Sequence, residues 1–294
     1  LAESAFEEAL EFEADNADFL FNHGNALFSQ NKFRKALSIY KKSLLIKEEE
    51  NTYTNLANTY RRLNELTEAK KYYIKALEIK PDLIHTKIEL THLMQSTCDW
   101  NGIDNYFSQI KNHIINKKSG KISPFTVLSM PDFNSENHLD VSTRWSEQKK
   151  IKPLQYVKKE TKKKITIGYL SADFRNHPLY YLIFDVLKNH DKNKFIIKLF
   201  YTGQEEDSDQ YRDFKDISKT FINISSLNDE LSAKRISAED VDILVDLSGF
   251  TKDTRSMCVA YKPAKVHINW LGFAGSMGFH FNKSLFDYIL ADNY

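Results

Sequence analysis

Three clusters of polar residues and glycines in this chain have the types and spacing to handle a polar ligand. The first is Asp173, Asn176 and His177. A neutral imidazole accepts a proton from a hydroxyl near pH 7, so His177 is the catalytic candidate; the alternative is a histidine that bonds a loop backbone. Asp173 is placed either to orient His177 or to cap a following helix, and capping is the expected role because Asp is a favoured N-cap. The second cluster is Asp246-Leu247-Ser248-Gly249-Phe250-Thr251, followed by Arg255. The third is Trp270-Leu271-Gly272-Phe273-Ala274-Gly275-Ser276-Met277-Gly278. Glycine lets a backbone approach a ligand closely, so Gly249, Thr251, Gly272 and Gly275 are expected to shape a binding surface, or simply to make tight turns.

Each cluster follows an apolar run with β character. Strands are expected at Ile165–Ser171, Phe195–Tyr201, Thr220–Ile224, Ile243–Leu247, Val266–Leu271 and Tyr288–Ala291. Helices are expected between them at Tyr181–Leu187, Asp209–Ile217, Asp229–Ala238 and Thr254–Val259. Such alternation implies a mainly parallel sheet with helices on both faces. In parallel strands the three clusters would converge on one sheet edge, where open α/β sheets bind ligands. No G-x-G-x-x-G follows the first strand, so the dinucleotide fingerprint is missing. Asp207-Ser208-Asp209 has the form of a metal-binding D-x-D, but it stands in an acidic stretch that reads as a solvated loop and helix start.

Upstream the pattern changes. Ala36, Tyr40, Ser43 and Leu44 reappear 33 residues later as Ala69, Tyr73, Ala76 and Leu77. Gly24, Leu27 and Phe33 are likewise followed by Ala57, Tyr60 and Leu66, and Pro81 stops the second unit. This period resembles the tetratricopeptide repeat, a helical hairpin of about 34 residues. Ala2, Phe6, Ala9 and Leu10 fit the second helix of an earlier unit, so the array is expected to begin before Leu1. A degenerate third unit begins near Leu83, and Ile103–Ile115 again has helical spacing. Trp145 falls in a further helical stretch. Asn22 and Asn55 share one repeat position on first helices, where Asn is disfavoured. They are either an amide ladder gripping an extended peptide or solvated helix residues.

Composition narrows the function classes. The net charge of +1 offers no argument for a nucleic-acid or membrane-surface partner, and neither is expected. Cys98 and Cys258 make no metal pattern, and His85, His92, His113 and His138 show no ligand spacing. A reducing cytosol is the simplest setting, with no signal peptide and no apolar membrane span.

Taken in order, Cys98-Asp99-Trp100, Ser123-Pro124-Phe125, Ile167 to Pro178, Asp242 to Thr251, Lys262-Pro263-Ala264, Trp270 to Phe273 and Asp287-Tyr288 resemble the protein O-GlcNAc transferases of glycosyltransferase family 41, with their bacterial and SPINDLY-like relatives. The resemblance implies tetratricopeptide repeats over residues 1–96, a helical linker region over 97–162, and the first Rossmann-like half of a GT-B enzyme over 163–294. It implies transfer of GlcNAc from UDP-GlcNAc to Ser or Thr of proteins, with inversion, no metal and no cofactor. It places His177 at the sugar and acceptor and gives Asp173, Asn176, Gly249, Thr251, Gly272, Ala274 and Gly275 to the substrate side. Asn22 and Asn55 match the family's asparagine ladder, which guides protein acceptors. Ala274 departs from the family, which usually has Pro there. The family's second half, with most uridine and diphosphate contacts, is not in this sequence, so a fragment inactive by itself is expected. Two alternatives stand beside this: an O-fucosyltransferase using GDP-fucose, and a non-catalytic tetratricopeptide scaffold.

Overall fold

The computed structural model describes residues 16–116, 122–131, 133–148, 150–154, 163–218, 220–251 and 253–291. The expected helix through Ala2 and Leu10 lies outside these residues. The chain divides into two compact units, Leu1–Gly120 and Lys121–Tyr294.

In the first unit, helices α1 (Ala17–Ser29), α2 (Phe33–Ile46), α3 (Glu50–Arg62), α4 (Leu66–Ile79), α5 (Ile84–Ser96) and α6 (Ile103–Ile115) each pack on the next. The recurring positions explain the stacking. Tyr40 and Tyr73 are fully buried, and each hydroxyl donates to an asparagine on the preceding helix: Tyr40 to Asn25 Oδ1 at 2.7 Å, Tyr73 to Asn58 Oδ1 at 2.5 Å. A Cβ at Gly24 would stand 2.5 Å from the Tyr40 ring, so this crossing requires glycine. The degenerate third unit is a real hairpin, α5 with α6. The linker region 97–162 of the sequence reading is therefore shared: α6 falls in the first unit, while α7 (Pro124–Val127) and α8 (Ser135–Ser146) fall in the second.

The second unit is built on a six-stranded sheet of β1 (Ile165–Ser171), β2 (Phe195–Tyr201), β3 (Phe221–Asn223), β4 (Ile243–Asp246), β5 (Val266–Trp270) and β8 (Tyr288–Leu290). Their order is β3-β2-β1-β4-β5-β8, and every pair is parallel. This is the doubly wound order, whose switch point lies between β1 and β4. Parallel sheets bury both faces, and the central strands β1 and β4 are buried along almost their whole length, whereas edge strand β8 is exposed throughout. Leu179, Ile183 and Leu187 of α9 (Pro178–Lys188) and Phe214 of α10 (Asp209–Ile217) pack on Ile167, Tyr169, Leu199 and Val245. On the other face, Ala233 and Ile236 of α11 (Asp229–Ala238) join Leu170, Phe200 and Leu244.

One local expectation is corrected, and one element is added. The helix expected at Thr254–Val259 is a 3₁₀ helix, Ser256–Tyr261. It is a short run with five of its six residues buried, and Lys262 ends it in the left-handed region at φ 52°, which suits the 3₁₀ form used in short pieces. Between β5 and β8 the chain forms a hairpin, β6 (Phe279–His280) with β7 (Lys283–Ser284), through Phe281 and Asn282 at φ 48° and 62°. A two-residue hairpin turn of this hand needs positive φ at both positions. The hairpin is tied to α8: the Phe279 N–H donates to Thr143 Oγ1 at 3.1 Å and the Phe281 N–H to Glu147 Oε1 at 3.1 Å.

His267, 1% exposed on β5, locks β8 to its neighbour. Its N–H donates to Asp287 Oδ2 at 2.8 Å, its Nδ1 lies 3.2 Å from the same oxygen, and its Nε2 accepts from the Ala264 N–H at 3.3 Å. Burial, with Lys262 nearby, pushes this imidazole down to about 4 against the opposing pull of Asp287.

Candidate functional site

The three clusters do meet at the carboxyl edge of the sheet. Ser171 ends β1, and its hydroxyl lies 3.0 Å from that of Ser248, which follows β4. The Ala172 N–H reaches Ser248 Oγ at 3.4 Å, and the Asp173 N–H reaches Ser171 Oγ at 3.0 Å. Asp246 then shapes the second loop: its Oδ1 accepts from the N–H groups of Ser248 at 3.0 Å and Gly249 at 3.2 Å. Asp246 is wholly buried, which raises its carboxyl pKa, with the Ser256 hydroxyl and these two N–H groups pulling the other way.

Gly249 has φ +55°, and a Cβ there would sit 2.4 Å from Phe273 Cβ. The third loop is pinned to the second because the Gly272 N–H donates to Leu247 O at 3.1 Å. The same N–H reaches Trp270 O at 3.2 Å, closing a tight turn around Leu271, which stands at φ 69°. A branched residue in that region is strained, and such strain concentrates at functional sites. Thr251 turns its hydroxyl inward, donating to Ser248 O at 3.0 Å. Ala274 is exposed and Gly275 half-buried. Arg255 spends its guanidinium on Leu227 O at 2.9 Å and Ser225 O at 3.0 Å, so it braces the loops.

The first loop corrects one expectation. Asp173 does not cap the following helix; His177 does, with Nδ1 accepting from the Leu179 N–H at 3.2 Å. The reason is Pro178, which favours the first helical position and leaves the residue before it as N-cap. Asp173 Oδ1 instead accepts from Arg175 Nη2 at 3.2 Å and lies 3.9 Å from His177 Nε2. The His177 side chain is 40% exposed.

Glu206 was not visible in the sequence as a member of this site. Its Oε1 accepts from the Asn176 N–H at 2.9 Å and from Ser208 Oγ at 2.6 Å, and Arg175 stands 3.9 Å from its other oxygen. The Ser208 hydroxyl, the Asn176 N–H and Arg175 together hold this carboxyl below its usual range. No local signal marks such a pairing, since the loops are thirty positions apart in the chain. The D-x-D pair has a structural occupation: Asp207 and Asp209 both hold Arg212, the latter at 2.5 Å, while Ser208 caps α10. Among the described residues no group of three His, Cys, Asp or Glu could hold a metal, and no helix is long and apolar enough to cross a membrane.

Asn22 and Asn55 lie in the other unit. Asn22 is exposed, whereas Asn55 is half-buried and donates through Nδ2 to Asn25 Oδ1 at 2.7 Å. Asn25 thus accepts from both Tyr40 and Asn55, joining one repeat to the next.

The glycosyl transferase family 41 model matches residues 138–294, over half of the chain. Tetratricopeptide repeat models match residues 17–50 and 51–83. The chain is 24% identical over 223 residues to a protein of Arabidopsis thaliana named a probable UDP-N-acetylglucosamine–peptide N-acetylglucosaminyltransferase SEC, covering 70% of this chain and 22% of that one. It is 31% identical over 124 residues to the Arabidopsis thaliana protein of the same description named SPINDLY, covering 41% of this chain and 14% of that one. A mutant O-GlcNAc transferase of Thermobaculum terrenum has the same fold at a TM-score of 0.57 and 18% identity, over 99% of this chain and 50% of the solved chain. The chain therefore spans about a fifth of the first relative's length and half of the solved chain's. The repeats, the parallel sheet and the matched region together show that the chain belongs to glycosyl transferase family 41.

Proposed function

We propose that this chain supplies the acceptor-guiding repeats and the first catalytic half of a protein O-GlcNAc transferase. In this reading GlcNAc passes from UDP-GlcNAc to a Ser or Thr hydroxyl of a protein, with inversion and without a metal. The observation that carries it is the family 41 match over residues 138–294, laid on a sheet whose β1 and β4 loops meet at the switch point. His177, Asp173 and Asn176 would face the sugar and acceptor from the first loop. Gly249, Thr251, Gly272, Ala274 and Gly275 would line the substrate side from the other two. In the repeats, the exposed Asn22 amide would bond an extended acceptor backbone, and Asn55 would offer the groups that Asn25 does not engage. The setting is the cytosol, in keeping with the two free thiols, Cys98 and Cys258.

The test uses the protein encoded by the complete gene, incubated with a protein acceptor and either UDP-GlcNAc or GDP-fucose. Intact mass is expected to show N-acetylhexosamine added to Ser or Thr from the first donor only. Deoxyhexose addition from the second, or no addition from either, overturns the reading. Residues 1–294 alone are expected to transfer nothing, because a GT-B site is closed by two halves.

A further inference from the structure

We propose that His177 serves as a hydrogen-bond donor through Nε2–H, held in that tautomer by capping its own helix, and that it is not the base of the reaction. The proposal rests on the transferase reading for its substrate, but not for the tautomer. The Leu179 N–H points at His177 Nδ1 from 3.2 Å. A ring nitrogen that accepts a hydrogen bond carries a lone pair, so the proton of the neutral ring sits on Nε2. Turning Nε2 into a base would move that proton to Nδ1. Two donors would then face each other at the start of α9, and the Leu179 N–H would lose its cap.

Among the described residues, no acceptor lies within hydrogen-bond distance of Nε2. Asp173 Oδ1 lies 3.9 Å away, beyond hydrogen-bond distance yet near enough for its charge to favour a proton on that side of the ring. The backbone around the ring is clamped, by the Asp173 N–H on Ser171 Oγ at 3.0 Å and the Asn176 N–H on Glu206 Oε1 at 2.9 Å. The ring is half-exposed while its anchoring atom is spent inside the protein. A partner for Nε2–H must be an oxygen with a lone pair, carried either by the nucleotide sugar or by the protein acceptor. Removal of the acceptor proton falls to another group.

Two measurements test this. In the first, residues 1–294 carrying ¹⁵N-histidine are studied by two-bond ¹H–¹⁵N NMR at a pH where imidazole is neutral. The His177 signals are identified by their loss in His177→Asn. A protonated Nε2 with a bare Nδ1 is expected; the opposite tautomer, or averaging between the two, overturns the proposal.

The second compares two variants of the complete protein, neither of which can take up a proton near neutrality. Asn keeps the cap acceptor but is too short to place a donor at Nε2, whereas Gln reaches the Nε2 position but loses the cap. His177→Gln is expected to melt lower than wild type yet keep transfer within about tenfold, while His177→Asn melts like wild type and loses more than about tenfold. The KM that rises in His177→Asn, for donor or for acceptor protein, identifies which substrate carries the oxygen. Equal loss in both variants, as a base would give, overturns the proposal, and so does full activity in His177→Asn, as a cap alone would give. If the wild-type protein transfers no sugar, the transferase reading falls and the NMR result alone decides the tautomer.

Discussion

Ser171 and Ser248, 77 positions apart, bring their buried hydroxyls to 3.0 Å across the boundary between β1 and β4. This contact ties the loop that carries His177 to the loop that carries Gly249. Ser248→Ala would leave Ser171 Oγ, 1% exposed, with one partner fewer and would remove a bond to the Ala172 N–H. Stability is expected to fall by about 1–3 kcal/mol in urea denaturation. A change within experimental error would mean that the contact does not hold the loops together.

Gly272 and Gly275 separate two kinds of close approach. A Cβ at Gly272 would lie 2.2 Å from Leu247 O, a backbone atom that cannot yield, whereas one at Gly275 would meet the Phe273 ring at 2.8 Å and Leu128 Cδ2 at 3.0 Å, both side chains. Gly272→Ala is expected to cost about 3 kcal/mol and Gly275→Ala about 1 kcal/mol. Thermal unfolding of the pair checks the order, and equal losses would contradict it.

In the repeats, Asn25 and Asn22 stand on the same helix with different burdens. Asn25→Ala would strip a buried tyrosine hydroxyl and the Asn55 amide of their common acceptor, and is expected to cost about 1–3 kcal/mol. Asn22→Ala on the exposed position is expected to stay within about 0.5 kcal/mol. Circular dichroism melts of the two variants distinguish them, and a destabilised Asn22→Ala would show that this residue has a structural task.

His267 sets the acid limb of stability. Its folded pKa is lowered to about 4 from 6.5, so between those values the unfolded chain binds a proton that the folded chain refuses. Its contribution is therefore intact above pH 6.5 and is lost as pH falls toward about 4, a decline on the order of 3 kcal/mol. Denaturation across this window should show the fall in wild type and a flatter profile in His267→Gln. A flat wild-type profile would contradict the burial argument.

How much of this was legible follows from the reach of each signal. The strands β1 and β2 and helix α6 lie where their apolar spacing places them, because long periodic runs leave little choice of structure. The convergence of the three loops also followed from the alternation of strands and helices, since parallel strands send their carboxyl ends one way. The β6–β7 hairpin was missed because two-residue strands have no period to read. The cap was assigned to Asp173, although Pro178 at the first helical position was the available clue to His177. The Glu206–Asn176 and Asn25–Asn55 contacts join residues far apart in sequence, and only the packed structure can pair them.

Transfer of labelled GlcNAc from UDP-GlcNAc to a protein acceptor, by the complete-gene protein and its His177→Ala variant in the presence of EDTA, bears most directly on what this site does. Wild type is expected to label Ser or Thr despite the chelator, and His177→Ala to be slower by at least about tenfold. No labelling by wild type, or an undiminished rate in the variant, would contradict the assignment of sugar transfer to the carboxyl edge of this sheet.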